Sequence, residues 1–289
     1  MPASSLAIHA HPEMHDARMV LGFSGWMDGG DVSTGAVEHL IEALNATDLA
    51  EIEPEDFYVY SFPGSMEVSA LFRPACKIEQ GLVTQYVPPR NVFYACPSER
   101  LILFEGKEPH LHWRPFAERI FEVAARFDVR TIYFIGSVGG VTPHSREPRL
   151  FCSMSDVAMR AELAALGVRF SDYQGPASFT TYLTACAVGR GVRMVSLVAE
   201  IPAYVQGRNP CCIESVVRRL AGMLGLPVSL DTLRAESQAF EEKLTELVAK
   251  REDLAELVGK LESDYDSEIF DTQMGDLKCW LEQKGIRLD

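Results

Sequence analysis

Several things are scarce in this 289-residue chain, and each scarcity removes a class of function. No apolar run approaches the ~20 residues that a bilayer-spanning helix needs, so no membrane segment is expected. The opening, from Met1 to Arg18, lacks a basic stretch followed by an apolar core, does not read as a signal peptide, and favours the cytoplasm. Basic residues are outnumbered: 27 Lys and Arg stand against 41 Asp and Glu, for a net charge of −14. Nucleic acid and anionic membrane both need clustered positive charge, so neither is expected as a partner. The nearest thing to a basic patch is Arg146/Arg149 or Arg218/Arg219. The seven cysteines contain no CxxC pair, which argues against zinc and dithiol sites and for reduced thiols used as small apolar residues. There is no internal repeat or low-complexity tract.

What is present suits a globular α/β protein: 47% of residues are hydrophobic and 24% charged, ample for a large core. The chain is organised around Thr131–His144, where a β-branched and aromatic run falls into Gly136-Ser137-Val138-Gly139-Gly140 and leaves through Thr142-Pro143-His144. A buried strand feeding a glycine-rich loop is where open α/β sheets place ligands. Ala17–Phe23 reads as the first strand, followed by Ser24–Gly30 and a helix capped by Asp31 or Ser33. Asp56–Phe62 then reads as a strand, and this strand–helix–strand opening favours a parallel sheet. Residues 65–98 suggest a hairpin or sheet edge. Further strands are expected at Leu101–Phe104 and Met194–Glu200, and helices at 113–127, 156–166, 178–189 and 211–224, the last stopped by Gly225.

From residue 229 the character changes, dividing the chain into a main domain (1–228) and a helical appendage (229–289). Phe240, Leu244, Leu247, Leu254, Val258, Leu261 and Tyr265 form a heptad stripe interrupted only by Arg251, with acidic residues on the other face. Phe270, Met274, Leu277 and Leu281 suggest a second, shorter helix ending near Gly285. The acidic face is most simply solvated surface, while the apolar stripe must pack on the main domain or on another subunit.

Two stretches are candidate anion sites. Ser24, Gly25, Trp26, Asp28 and Gly29 lie between a strand and a helix, where backbone N–H groups can hold an anion. Gly136, Ser137, Gly139 and Gly140 can do the same, with His144 or Arg146 supplying charge. Neither stretch has the GxGxxG or GxxxxGK[ST] spacing, and Ser137 lacks a G-x-S-x-G setting. The plainer reading of both is glycine used for tight turns and close packing. His9, His11, His15, His110 and His112 lack a coherent ligand spacing, with Pro12 between His11 and His15; no metal and no cofactor is expected.

Four segments in order resemble the PAC2 family, the proteasome-assembly-chaperone-2-like proteins, and in particular its bacterial branch. They are Gly22–Gly30 with Thr34–Leu40; Gly106-Lys107-Glu108-Pro109 with Trp113–Phe116; Gly136 with Val141–Arg146, including Pro143; and Tyr173-Gln174-Gly175-Pro176 with Ala199–Val205, including Pro202 and Tyr204, then Asn209-Pro210. The resemblance implies a three-layer α/β/α sandwich with a mixed, mostly parallel sheet, similar to nucleoside phosphorylases and hydrolases. It also implies self-association as a dimer or trimer, with a partner protein engaged through the C-terminal helices. Proteasome-linked archaeal members end in a hydrophobic–tyrosine–any tail, and this chain ends Gly285-Ile286-Arg287-Leu288-Asp289. Two functions follow as expectations. One is a homo-oligomeric protein-binding or assembly-chaperone-like module. The other is a nucleoside- or phosphoester-acting hydrolase or transferase using the loops at 24–30 and 136–146, with His144 as acid/base and Glu200 orienting a polyol.

Overall fold

The computed structural model describes residues 6–70 and 72–283, with side chains described as far as Phe270. A short strand β1 (Leu6–Ile8) precedes β2 (Arg18–Ser24), whose Met19–Phe23 are buried on both faces, as in a central strand. Helix α1 (Val32–Ala43) follows, and then β3 (Thr47–Ile52). A short helix α2 (Met66–Ala70) leads to a hairpin of β4 (Ala75–Glu79) and β5 (Leu82–Val87). Next come β6 (Val92–Cys96), β7 (Leu101–Lys107), α3 (Trp113–Arg126) and β8 (Thr131–Gly140). The chain continues through β9 (Leu150–Met154), α4 (Arg160–Ala164), β10 (Arg169–Phe170), α5 (Phe179–Ala187), β11 (Arg193–Pro202) and α6 (Pro210–Leu224). It finishes with α7 (Asp231–Ala249) and α8 (Glu252–Gln283).

Nine strands form one sheet in the order β1-β3-β6-β7-β2-β8-β11-β9-β10, and β4–β5 pair separately. The centre, β7-β2-β8-β11, is parallel, while both flanks turn antiparallel through β6 on one side and β9 on the other. Alternation along each central strand feeds two cores. Met19, Leu21, Phe23, Phe104 and Phe134 face α3 and α5, where Phe116, Ile120, Phe179 and Leu183 meet them. Val20, Leu101, Leu103, Ile135 and Leu197 face α1 and α6, packing on Val37, Leu40, Ile213, Val216 and Leu220. The expected three-layer α/β/α sandwich is present, with C-terminal helices appended.

Three local expectations give way. Asp56–Phe62 is not a strand: Asp56 takes φ +74°, and Phe57 and Tyr58 are buried as loop, Phe57 edge-on against Phe116 and the Tyr58 hydroxyl between Asn91 Oδ1 (2.6 Å) and the Lys107 carbonyl (2.7 Å). The strand after α1 is Thr47–Ile52, and it runs antiparallel to both its neighbours. Second, Gly136–Gly140 is not a loop. It continues β8, pairing with β11 as far as Gly140 opposite Pro202. Third, the stripe of the tail does not run through one heptad register. The chain breaks at Lys250–Arg251, so Val248 rather than Leu247 turns inward on α7, and Val258 and Tyr265 on α8; Leu247 is exposed. The expected break near Phe270 is absent, since α8 runs through to Gln283, whereas the side chains of Met274, Leu277 and Leu281 and the ending near Gly285 lie outside the described residues.

Candidate functional site

The four parallel strands bring their carboxyl ends, Lys107, Ser24, Gly140 and Pro202, to one edge of the molecule, where ligands bind in sheets of this kind. In the loop after β2, Gly25 takes φ +139° and leaves room for Glu108, whose carboxylate lies 3.1 Å from where a Cβ would stand. Glu108 brackets two elements: one oxygen accepts from the Trp26 N–H (3.1 Å), the other from the Phe179 N–H at the start of α5 (2.8 Å). Asp28 caps α1. Its carboxylate accepts from the N–H groups of Ser33 (2.7 Å) and Thr34 (3.2 Å) and from the Thr34 hydroxyl (2.8 Å). Burial pushes this carboxyl up to about 6, and those hydrogen bonds hold it from rising further. Donors that an incoming anion would use at this helix start are therefore already engaged by the chain's own carboxylate.

The glycines of β8 admit neighbours. A Cβ on Gly136 would stand 2.6 Å from the Phe134 ring, and one on Gly140 would overlap the Glu200 carboxylate at 2.3 Å. Gly139 meets only Ala203, and Gly29 packs against Ile201. Ser137 is buried, with its hydroxyl donating to the Gly29 carbonyl (2.6 Å) and its N–H to the Met27 carbonyl (2.8 Å), which stitches the two glycine-rich segments together.

Beyond Gly140 the tail covers the edge. Glu200 accepts from Thr142 and from Arg149 (2.8 Å), and the other end of the Arg149 guanidinium meets Glu268 (2.6 Å), which also pairs with Arg169. Burial alone would raise the Glu200 carboxyl; the hydrogen bonds from Thr142 and Arg149 outweigh it and hold the group below the usual carboxylate range. His144 is 8% exposed. Its Nδ1 and its backbone N–H both meet the Tyr204 hydroxyl (2.7 and 2.8 Å), and Nε2 lies 3.3 Å from Thr245 Oγ1 of α7. Arg146 forks onto Asp266 of α8 at 2.7 and 2.8 Å. The structure thus places His144 and Glu200 at a packed joint with the tail helices, while Ser24–Gly29 stands at the neighbouring strand end. Residues resembling a family signature serve the same joinery: Trp113 donates to the Pro109 carbonyl (2.8 Å), and Tyr173 folds over Gly175 to donate to the Pro176 carbonyl (3.2 Å).

A cleft of about 480 Å³ opens on this edge, on the sheet face shared with α5. Its floor is Val138, Val198, Phe151 and Ser196; Trp26 and Tyr173 stand at its mouth. Of these the sequence pointed to Trp26 as a candidate anion-site residue and to Tyr173 through the family resemblance, whereas β9 and the Ser196 hydroxyl of β11 carry no motif. Among the described residues no group of three His, Cys, Asp or Glu side chains is placed to hold a metal. His15 instead pairs with Asp128, His11 with Arg126, and His110 accepts from the Val59 N–H.

Fold and site together define a three-layer α/β protein whose strand-end edge is clasped by its own C-terminal helices. The chain belongs to the PAC2 family, whose profile matches residues 22–248. A proteasome-assembly chaperone homologue of Mycobacterium tuberculosis is 28% identical, with a TM-score of 0.72 over 83% of this chain and 99% of that one. A Mycobacterium tuberculosis protein of unknown function shares the fold at 21% identity, with a TM-score of 0.83 over 96% of this chain and 94% of that one. PbaB, an archaeal proteasome activator of Pyrococcus furiosus, shares it at 19% identity and a TM-score of 0.63, over 84% and 97%. Among curated proteins none matches the chain. No helix of the described residues is long and apolar enough to cross a membrane.

Proposed function

We propose that this protein is a self-associating protein-binding module of the assembly-chaperone type, and that the β4–β5 arm is where one copy grips another. The observation that carries this reading is the exposure of the arm. Every residue of both strands is exposed, including Ile78, Leu82, Val83 and Tyr86 at 60–70%. Pairing places Cys76 opposite Tyr86 and, past a register shift at Thr84, Ile78 opposite Val83, so apolar side chains gather on one face of the hairpin. A two-stranded hairpin is at best marginally stable in water without something packed against it, and uncovered apolar surface of this kind marks an interface.

Charge favours a second copy as the occupant. The chain carries −14, yet residues 60–91 hold two acidic residues (Glu67, Glu79) against three basic ones (Arg73, Lys77, Arg90). Two acidic molecules repel least where this near-neutral arm is presented. The family and its relatives, among them a proteasome-assembly chaperone homologue and a proteasome activator, support a protein rather than a small substrate as the object of the function. The enzymatic alternative has less support: His144 and Glu200 are occupied at the joint with the tail, and the N–H donors of α1 are taken by Asp28.

Light scattering coupled to size exclusion tests this. The wild type is expected to run as a dimer or larger at micromolar concentration, and Ile78→Asp or Tyr86→Lys, both at exposed positions, to run as folded monomers. A monomeric wild type at 100 µM, or variants that assemble unchanged, would sink the reading.

A further inference from the structure

We infer that the cleft between β8, β9, β11 and the start of α5 is a binding site for an uncharged, ring-bearing small molecule. Three observations converge on it. The first is a hydroxyl free to bond a ligand: Ser196 is 6% exposed, lies on the floor, and its side chain makes no hydrogen bond to any described residue. A hydroxyl that opens into a cleft with no protein partner can exchange its water for a polar group of a ligand. The second is the floor itself. Val138 and Val198 sit on the central strands β8 and β11 and Phe151 on the adjoining β9, yet no helix covers them, since α5 begins at Phe179 beside the cleft. The third is the mouth, where Trp26 and Tyr173 are 61% and 69% exposed. Large aromatic rings left in water over an apolar floor offer flat faces on which a planar or ring-shaped ligand stacks.

The lining fixes the charge of the ligand. No Lys, Arg, His, Asp or Glu contributes to the cleft, although Asp, Glu, Lys and Arg make up 24% of the chain. A phosphate or carboxylate placed here would lose its water and gain no counter-charge. Hydroxyls from Ser196 on the floor and from Thr181 in the first turn of α5 can instead bond carbonyl, hydroxyl or ring-nitrogen groups. The volume, about 480 Å³, falls in the range of small-molecule sites, and the position at the carboxyl ends of parallel strands is where sheets of this type bind. This site is distinct from the joint that holds His144 and Glu200, and it does not depend on self-association.

The probes are three neutral ring compounds, adenosine, thymidine and pyridoxine, each tested beside its phosphorylated counterpart. Binding is read from Trp fluorescence and from thermal shift on the full chain. At least one neutral compound is expected to bind with a Kd below 1 mM, at least tenfold more tightly than its phosphorylated form. Trp26→Ala at the mouth and Ser153→Tyr on the exposed part of the lining are each expected to weaken that binding tenfold or more while keeping the wild-type melting temperature. The inference is overturned if none of the three neutral compounds registers at 10 mM. It is equally overturned if the phosphorylated forms bind as well, or if binding survives both variants. Ile78→Asp on the arm keeps the binding, so failure of the oligomer and failure of the cleft read out separately.

Discussion

The guanidinium of Arg149 lies over the ring of Tyr265, 4.5 Å from its centroid, so the edge of the sheet and the last helix are held in a cation–π contact. The same guanidinium bridges Glu200 on β11 and Glu268 on α8, and the Tyr265 hydroxyl donates to the Glu147 carbonyl (2.9 Å). Of the ion pairs that bind the tail, those of Arg146 face solvent and contribute little. Arg149 is buried, and it decides how firmly the tail sits.

Arg149→Ala leaves the Glu200 carboxylate buried without its counter-charge, which typically costs about 3–5 kcal/mol. Arg149→Lys keeps the charge but cannot fork between two carboxylates, so an intermediate loss is expected. Urea denaturation measures both. Hydrogen exchange should show α8 released first in the alanine variant; if α8 stays as protected as the rest, the latch is not at Arg149.

Gly140→Ala tests whether glycine is needed for space rather than for backbone freedom. The new methyl would overlap the Glu200 side chain, which is fixed by Thr142 and Arg149 and has little room to yield, for a loss of about 1–3 kcal/mol. Glu200→Ala opens that space while stranding Arg149. The double variant should therefore be less destabilised than the sum of the two single changes, by about 1 kcal/mol or more. Strict additivity in thermal or chemical unfolding would rule the contact out as the reason for the glycine.

This glycine shows what was legible in the sequence and what was not. The β-branched run at 131–135 announced a buried central strand, and the amphipathic period at 113–127 announced α3, because local pattern and tertiary burial agree there. Gly136–Gly140 looked like a loop because glycine serves both turns and close packing, and only the register with β11 separates the two. Thr47–Ile52 escaped because an outer strand with Asp and Glu in it lacks an apolar run, while Phe57 and Tyr58 imitate a strand but are buried through the fold of a loop. Glu108 and Tyr204 stand out only through the family resemblance, and His144 also through its place after the glycine-rich stretch. Their partners, the Phe179 N–H for Glu108, His144 for Tyr204 and Thr245 for His144, lie 60 to 101 positions away in sequence, where no local pattern reaches.

Asp28 gives a pH signature of known sign. Burial raises its carboxyl from 3.8 to about 6, so between those values the folded chain binds a proton that the unfolded chain has lost. Stability from this group is therefore greatest near pH 4 and falls as pH rises through 6, by on the order of 3 kcal/mol in total. Asp28→Asn removes the titration while keeping an acceptor for the Ser33 N–H. Relative to the variant, the wild type should lose stability from pH 4 to pH 7 in urea melts; parallel pH profiles would show that the carboxyl titrates normally.

His144 runs the other way. Desolvation beneath α7 lowers its pKa, and the nearby carboxylates of Glu262 and Glu241 only partly offset that. The folded chain therefore keeps the imidazole neutral at a pH where the unfolded chain protonates it, and stability present above about pH 6.5 is lost as pH falls. The ring is held between Tyr204 and Thr245, so the elements loosened by its protonation are the 142–149 segment and the tail helices laid over it. On acidification from pH 7.5 to 5.5, amide exchange in α7 and α8 should rise more than exchange in the central strands, after correction for the intrinsic pH dependence. His144→Asn, which retains hydrogen-bonding capacity but does not titrate, should flatten that difference. If wild type and variant show the same rise in the tail, His144 is a passive packing residue and the clasp does not respond to pH through it.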